Sequence, residues 1–209
     1  MTSLALPLDA ALPSRARSRS AIVAAPMGER TDEELMRAYV GGDEAAFREL
    51  FARYAPIVYG MTRRHLKDEE LAREITQQTF FKLHGARNDF RLDSKLRPWL
   101  LTIAMNLVRE HWRKKKRRKH VDLDVERQQA PQAERSRLEL AERALHVRAA
   151  LEKLPPTQRE VIELHWFEGL PFAEVAQVVG ASLSAVKVRA HRGYKQLREI
   201  LGNPAEGAG

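Results

Sequence analysis

The 209 residues of this chain include no cysteine. That excludes disulfide staples, thiolate-held zinc and thiol redox sensing, and it fits a reducing compartment. Nor is there an apolar run near the ~20 residues that span a bilayer. The order of a signal peptide is missing as well, because Arg15, Arg17 and Arg19 follow the first apolar residues instead of preceding them. No stretch alternates as a strand would; apolar residues recur at helical spacing throughout. The seven histidines, at 65, 84, 111, 120, 146, 165 and 191, never fall into a metal-ligand spacing such as H-E-x-x-H. No metal, cofactor or small-molecule substrate is expected, and an enzyme reading finds little support.

Positive charge, by contrast, is in excess. Lys and Arg number 36 against 28 Asp and Glu, a formal charge of +8. A balance of that size points to nucleic acid or an anionic surface and says nothing about fold. Hydrophobic residues make up 44%, within the globular range. The excess charge is concentrated where Arg113, Lys114, Lys115, Lys116, Arg117, Arg118 and Lys119 follow one another without a break. A helix end suits two or three cations through its dipole. Seven repel one another, which makes sense if a polyanion lies alongside. Just before them, Trp99, Leu100, Ile103, Leu107 and His111 recur at spacings of three and four, the stripe of a half-buried helix. Asn106 is a polar residue in the middle of that apolar run.

Residues 1–30 mix Ala, Ser, Pro and Arg without a period and read as a disordered lead-in or a start-codon extension. Order is expected from Thr31. Thr31 or Asp32 can cap a helix whose apolar side is Leu35, Met36 and Tyr39, and Gly41-Gly42 stops it. Asp43 caps a second helix with Phe47, Leu50, Phe51 and Tyr54 inward, which Pro56 should break or kink before Ile57, Val58 and Met61 resume the pattern. Asp68 caps a third, with Leu71, Ile75, Thr79 or Phe80, and Leu83 inward. Gly85 to Asp93 is a loop, Ser94 can cap the fourth helix, and Pro98 lies in its first turn.

The pattern disappears from Val121 to about Gln132, so residues 119–136 are expected to be a flexible linker between two domains, 31–118 and 137–202. A helix is expected from Ser136 to Lys153, with Leu138, Ala141, Leu145, Ala149 and Leu151 on its apolar side. Pro155-Pro156 ends it, and Pro156 can open the next helix, which carries Val161, Ile162, His165 and Trp166. After the turn at Glu168-Gly169, Phe172 to Leu197 has the layout of a helix-turn-helix. Ala176 is small where two helices would cross, Gly180 lies in the turn, and Ser182 can cap a second helix with Val186, Ala190, Gly193 and Leu197 inward. Lys187, Arg189, His191, Arg192 and Lys195 lie opposite that stripe, an outer face suited to the major groove. After Gly202 a disordered tail is expected. The fold class read from all this is all-α, two small helical domains, the second with a helix-turn-helix.

Taken together, the two halves resemble a bacterial RNA polymerase sigma factor of the sigma-70 family, in its extracytoplasmic-function group. EITQQTFFKLH, from Glu74 to His84, is similar to that family's polymerase-binding helix. FRLDSKLRPWLLTIAMNLVREHWR, from Phe90 to Arg113, is similar to the segment that melts and reads the minus-ten element. LEKLPPTQREVIELHWFEGLPFAEVAQVVGASLSAVKVRAHRGYKQL is similar to the fourth conserved region, which binds the minus-thirty-five element. The resemblance covers about Asp43 to Lys119 and Arg143 to Leu201. Gln78 stands where the family often has a carboxylate, His84 where it often has Trp, and Pro171 replaces the usual hydroxyl cap.

The resemblance implies that Glu74, Gln77 and Gln78 dock on core RNA polymerase. It implies that Phe90 and Asn106 help hold a flipped base, with Arg109, Arg113 and Lys114 near the phosphates. It places Lys187, Val188, His191 and Arg192 at the minus-thirty-five DNA. An aromatic in a polar loop has no obvious core to fill, and an amide on an apolar stripe needs a partner; one pocket for an extruded base would resolve both. The competing reading of Asn106 is a buried structural amide. The resemblance also implies promoter DNA and an anti-sigma factor, often membrane-bound in this group, as partners, and a cytoplasmic location. Two other function classes stand beside it: a conventional helix-turn-helix regulator without polymerase docking, and a non-specific basic nucleic-acid binder.

Overall fold

The computed structural model describes residues 30–91, 93–118 and 145–202, the Arg118 side chain excepted. The chain falls into two compact units, divided at Arg117. Every regular element among the described residues is helical, as the apolar spacing requires. The lead-in before Arg30, the linker over 119–136 with Lys119, Leu138 and Ala141, and the tail after Gly202 lie outside the described residues.

The first unit opens with α1 (Asp32–Val40), started by a capping box. The Thr31 hydroxyl accepts from the Glu34 amide at 3.2 Å, and the Glu34 carboxylate accepts from the Thr31 amide at 2.7 Å. That backbone hydrogen bond holds the Glu34 carboxyl below the usual glutamate range. Gly42, at φ +99°, makes the left-handed turn into Asp43. Asp43 accepts from the Ala45 amide at 2.8 Å and starts α2 (Glu44–Leu66). Asp68 likewise accepts from Leu71 at 3.0 Å and starts α3 (Glu69–Gly85). A short 3-10 turn, Arg87–Asp89, leads towards α4 (Leu96–Arg118).

Two local expectations are corrected. Pro56 does not break α2, which runs through it as one helix. Its lost amide costs ~3 kcal/mol in a helix interior, but Tyr54, Ala55, Val58 and Met61 on either side are all buried. At roughly 1.5–3 kcal/mol for each larger side chain, that burial outweighs the loss. Ser94 is not the cap of α4 either. The helix starts at Leu96, whose amide donates to the Glu33 carboxylate of α1 at 3.3 Å, so the first helix holds the start of the fourth.

The core of this unit joins Leu35 and Met36 of α1 to Leu50 and Met61 of α2, Leu83 of α3 and Leu101 of α4. Tyr39 stacks on Phe47 with ring centroids 4.8 Å apart, and Phe51 meets Phe80 at 4.7 Å. Both Thr79 and Phe80 are buried. The Thr76 and Thr79 hydroxyls are satisfied inside α3, donating to the Ala72 and Ile75 carbonyls at 2.7 Å. The buried side of α4 is Leu100, Leu101, Ala104, Leu107 and Val108. Trp99, Ile103 and His111 are only half-buried along its flanks, and Asn106 is exposed on the opposite face. The expected stripe was therefore rotated, and Asn106 does not interrupt it.

In the second unit the described part of α5 covers 145–152. Leu145 and Ala149, expected inward, are exposed. Leu151 and Leu154 pack on Ile162, and that contact turns the Leu145 side of the helix outward. Pro156 opens α6 (Pro156–Trp166) at the first position, as expected. Then come α7 (Phe172–Val179) and α8 (Leu183–Leu201). Between them Gly180 takes the left-handed conformation at φ +64°, its amide donating to the Ala176 carbonyl, and Ser182 caps α8 by accepting from Ala185 at 3.2 Å. Val161, Leu164, Val175, Val178, Val186 and Ala190 close the core. At Gly193, α8 passes α6 so closely that a Cβ would lie 2.6 Å from Ile162 Cδ1.

Candidate functional site

Three surfaces carry the residues singled out from the sequence. On α3, Glu74, Gln77 and Gln78 are all exposed, opposite the buried Ala72, Ile75, Thr79 and Leu83. Gln78 Nε2 donates to Glu74 Oε1 at 2.8 Å, which ties two of the three together one turn apart. Phe81 stands in the same row, four residues after Gln77, and is 79% exposed. Sequence reading gave it no role because the adjacent Phe80 satisfied the core pattern. Its spacing of three, four and seven from Gln78, Gln77 and Glu74 was the available signal. His84 is exposed at the end of this helix, its Nδ1 hydrogen-bonded to the Tyr39 hydroxyl.

The outward face of α4 brings Asn106, Arg109 and Arg113 into one row. Arg109 Nη1 donates to Asn106 Oδ1 at 2.9 Å, which fixes the amide and leaves its nitrogen as a donor. Arg113, Lys114, Lys116 and Arg117 are exposed over the last turns. Lys114 is tied to Glu110 at 2.8 Å and holds that carboxyl below the usual glutamate range, so its charge is partly spent within the helix. Trp112, which the sequence reading passed over, is 43% exposed with Lys115 Nζ 5.2 Å from its ring centre.

Phe90 is placed otherwise than its loop position suggests. It is 5% exposed, and its ring lies 5.1 Å from that of Trp99 at a tilt of 55°. The half-buried Trp99 is the core that the sequence did not reveal for it. Trp99 precedes Asn106 by two helical turns, roughly 10 Å along the axis. The ring is packed and the amide is exposed, so neither is an anomaly that a shared pocket must resolve.

The third surface is α8. Lys187, Val188, His191 and Arg192 are all exposed, on consecutive turns of the face opposite Val186, Ala190 and Gly193. Lys195 extends the row and Arg189 lies at its edge, half-buried. Trp166 Nε1 of α6 donates to the Tyr194 hydroxyl of α8 at 2.8 Å, and α6 is joined to α7 by His165, which stacks on Phe172 with centroids 4.3 Å apart, its Nδ1 bonded to the Leu170 carbonyl at 2.7 Å. A cationic helix face on which Leu183 and Val188 are exposed apolar residues is chemically suited to phosphates flanking base edges. Among the described residues no grouping of His, Asp and Glu could hold a metal ion, and no helix is long and apolar enough to cross a membrane.

Comparison with known proteins bears on both units. Residues 50–118 match the model of Sigma-70 region 2, and residues 144–197 match that of Sigma-70, region 4. The chain is 35% identical over 169 residues to the RNA polymerase sigma factor CarQ of Myxococcus xanthus, covering 80% of this chain and 95% of CarQ. It is 31% identical over 175 residues to the ECF RNA polymerase sigma factor SigM of Mycobacterium tuberculosis, covering 83% and 86%. Among solved structures it is similar to CnrH, determined in complex with the cytosolic domain of CnrY, with a TM-score of 0.62, 29% identity, and 81% and 96% of the two chains covered. The fold is also that of the sigma factor RpoE from Bartonella quintana, at a TM-score of 0.61 and 23% identity over 76% of this chain and 98% of that one.

Proposed function

Because the chain belongs to the sigma-70 family of RNA polymerase sigma factors, in its extracytoplasmic-function group, we propose a division of work among its three surfaces. It binds core RNA polymerase, directs the enzyme to particular promoters and helps open the DNA to start transcription. The family is regulatory, and the chain contributes no bond-making chemistry of its own. Residues 31–118 form the region 2 domain and 137–202 the region 4 domain, joined by 119–136. Glu74, Gln77 and Gln78 meet the polymerase. Asn106, Arg109, Arg113 and Lys114 face the minus-ten DNA, and Phe90 belongs to the same element through its packing on Trp99. Lys187, Val188, His191 and Arg192 face the minus-thirty-five element.

The observation that supports this reading is how charge is sorted. Cations occupy the outward faces of α4 and α8, while the exposed row of α3 carries carboxylates, amides and one phenyl ring. A non-specific binder would need no such sorting. CnrH was solved with the cytosolic domain of another protein, CnrY, which supports a protein partner for this chain; the family resemblance makes that partner an anti-sigma factor, of the membrane-bound kind common in this group. Its place of work is the cytoplasm, with the polymerase.

The deciding experiment is promoter binding with and without core polymerase, across a salt series. Tight, sequence-specific binding that appears only when core is added is the expected result. Binding of the chain alone to a palindrome would instead favour a conventional regulator. Salt-sensitive binding to any duplex would favour a non-specific one.

A further inference from the structure

The flank of α4 supplies little to its own first amides. Lys95, the residue before the helix, brings only donors, and the Asp93 carboxylate is taken by Arg91 at 2.9 Å. The acceptor for the Leu96 amide is instead the Glu33 carboxylate of α1, at 3.3 Å. It is a negative charge at the positive end of a helix, where such a charge is stabilising. The neighbouring residue anchors α1 in turn: Asp32 accepts from Arg53 and from the Tyr54 hydroxyl, both of α2. One turn of α4 separates Leu96 from Trp99, and the Phe90 ring packs on Trp99 at 5.1 Å. A line of contacts therefore runs from α2 through Asp32 and Glu33 to the first turn of α4, and on through Trp99 to the loop that carries Phe90.

We propose that Glu33 is a positioning residue for promoter opening: by holding the first turn of α4 it fixes Trp99 and, through Trp99, the loop of Phe90. The proposal rests on the minus-ten reading above and deepens it. Glu33 precedes residues 50–118, which match Sigma-70 region 2, so this hold on the loop comes from outside the matched segment. Leu96 is fully buried, and loss of the carboxylate leaves its amide short of an acceptor, which weakens the turn. Leu100, Leu101 and Ala104 are buried further along and keep the rest of α4 in place. The loosening is thereby confined to the first turn and the loop before it.

The test uses the full chain assembled with saturating core polymerase, and a duplex promoter that the parent holoenzyme opens, carrying 2-aminopurine in its minus-ten element. A cap is worth about a factor of five in the stability of its turn. Glu33→Ala is expected to raise amide exchange at Leu96 and Trp99 about fivefold and to slow opening roughly two- to fivefold, with core affinity unchanged. Glu33 is half-buried and outside the core, so the variant should fold. Lys95→Ser supplies a local hydroxyl that can accept from the Arg97 amide. The double variant Glu33→Ala, Lys95→Ser should therefore regain most of the rate, measured against Lys95→Ser alone. A group that merely stabilised the unit would leave the opening rate of the assembled holoenzyme unmoved. Opening slowed by less than about twofold overturns the proposal. So does a parallel loss of core affinity, which would make Glu33 a contact of the fold only. Asn106→Ala separates the two levels. If it slows opening while Glu33→Ala does not, the minus-ten reading stands and the positioning role falls. If neither slows opening, the minus-ten reading of this unit falls, and the positioning role with it.

Discussion

At Gly193 the second helix of the helix-turn-helix is closely constrained by α6. An alanine there would put its Cβ 2.6 Å from Ile162 Cδ1 and 3.4 Å from Gln158 Cβ. Two effects oppose each other. Glycine inside a helix costs ~1 kcal/mol relative to alanine, so Gly193→Ala gains that much if nothing moves. The contact is nearly 1 Å too short, however, and overpacking of a filled core costs ~1–3 kcal/mol. Ile162 is 3% exposed and packed with Leu151 and Leu154, so its terminal methyl has little room to swing away. The expected net effect is a loss of ~1 kcal/mol in the second unit, from the difference of those two terms. A shift of α8 away from α6 would accompany it.

Ile162→Val removes the methyl that blocks. Alone it should cost ~0.5–1.5 kcal/mol. In combination the clash is gone and the helix gain is realised, so the double variant should stand near the parent, with a favourable coupling of ~1–3 kcal/mol. Because the chain has two units, a single global unfolding free energy is the wrong measure. Amide hydrogen exchange over α6 and α8 reads the second unit directly. Promoter binding by holoenzyme should follow the same order: weaker for Gly193→Ala, recovered in the double variant. Additivity of the two changes within ~0.5 kcal/mol, or a stabilising Gly193→Ala, would refute the reasoning.

Three other outcomes are expected. Lys187→Ala or Arg192→Ala should weaken holoenzyme binding to promoter DNA by ~1–3 kcal/mol where the side chain makes a bidentate base contact, and by less where it meets only phosphate, with core docking unchanged; gel-shift titration measures both. Phe90→Ala should destabilise the first unit by ~3–5 kcal/mol, since the ring is buried against Trp99, whereas the exposed Asn106→Ala should change stability by no more than ~0.5 kcal/mol. Asn106→Ala should nevertheless slow opening of a duplex promoter and relax preference at one minus-ten base, and normal opening with unchanged preference would sink that assignment. Finally, burial and the Asp32 carboxylate accepting its proton push the Tyr54 hydroxyl far above the usual tyrosine range. The folded chain then keeps a proton that the unfolded chain releases above about pH 10, so this contribution is present below that pH and is lost as pH rises. Tyr54→Phe should start less stable, with the gap to the parent narrowing in alkaline urea titrations.

Helix boundaries were legible wherever a side chain itself does the capping. Thr31, Asp43, Asp68 and Ser182 accept from amides two or three residues on, and a short-range rule finds them. The boundary at α4 was not legible, because the group that meets its first amide, Glu33, comes from sixty-three residues earlier in the chain. The break offered at Pro56 does not occur for a related reason: the local cost is visible in sequence, but the packing that outweighs it belongs to the fold. The helix-turn-helix was read well because each of its devices is local, namely a left-handed glycine, a hydroxyl cap and a small residue at the crossing.

The outward face of α4 shows where position along a helix and burial part company. A stripe at spacings of three and four fits two neighbouring rotations about equally well, and the stripe of Trp99, Leu100, Ile103, Leu107 and His111 takes one of them. The core keeps Leu100 and Leu107 of that stripe but adds Leu101, Ala104 and Val108 in place of Trp99, Ile103 and His111, which turns the helix and brings Asn106 outward beside Arg109. The same rotation leaves Trp99 half-buried, where it covers Phe90. The aromatic and the amide are therefore both accounted for by the fold, while the family resemblance at those positions is untouched. Phe90 now has a folding role large enough to mask any role at DNA, so its replacement by alanine cannot separate the two. Asn106 has no such burden: it is exposed, its carbonyl oxygen is held by Arg109, and its replacement disturbs no core. Base recognition in this unit is accordingly tested at Asn106.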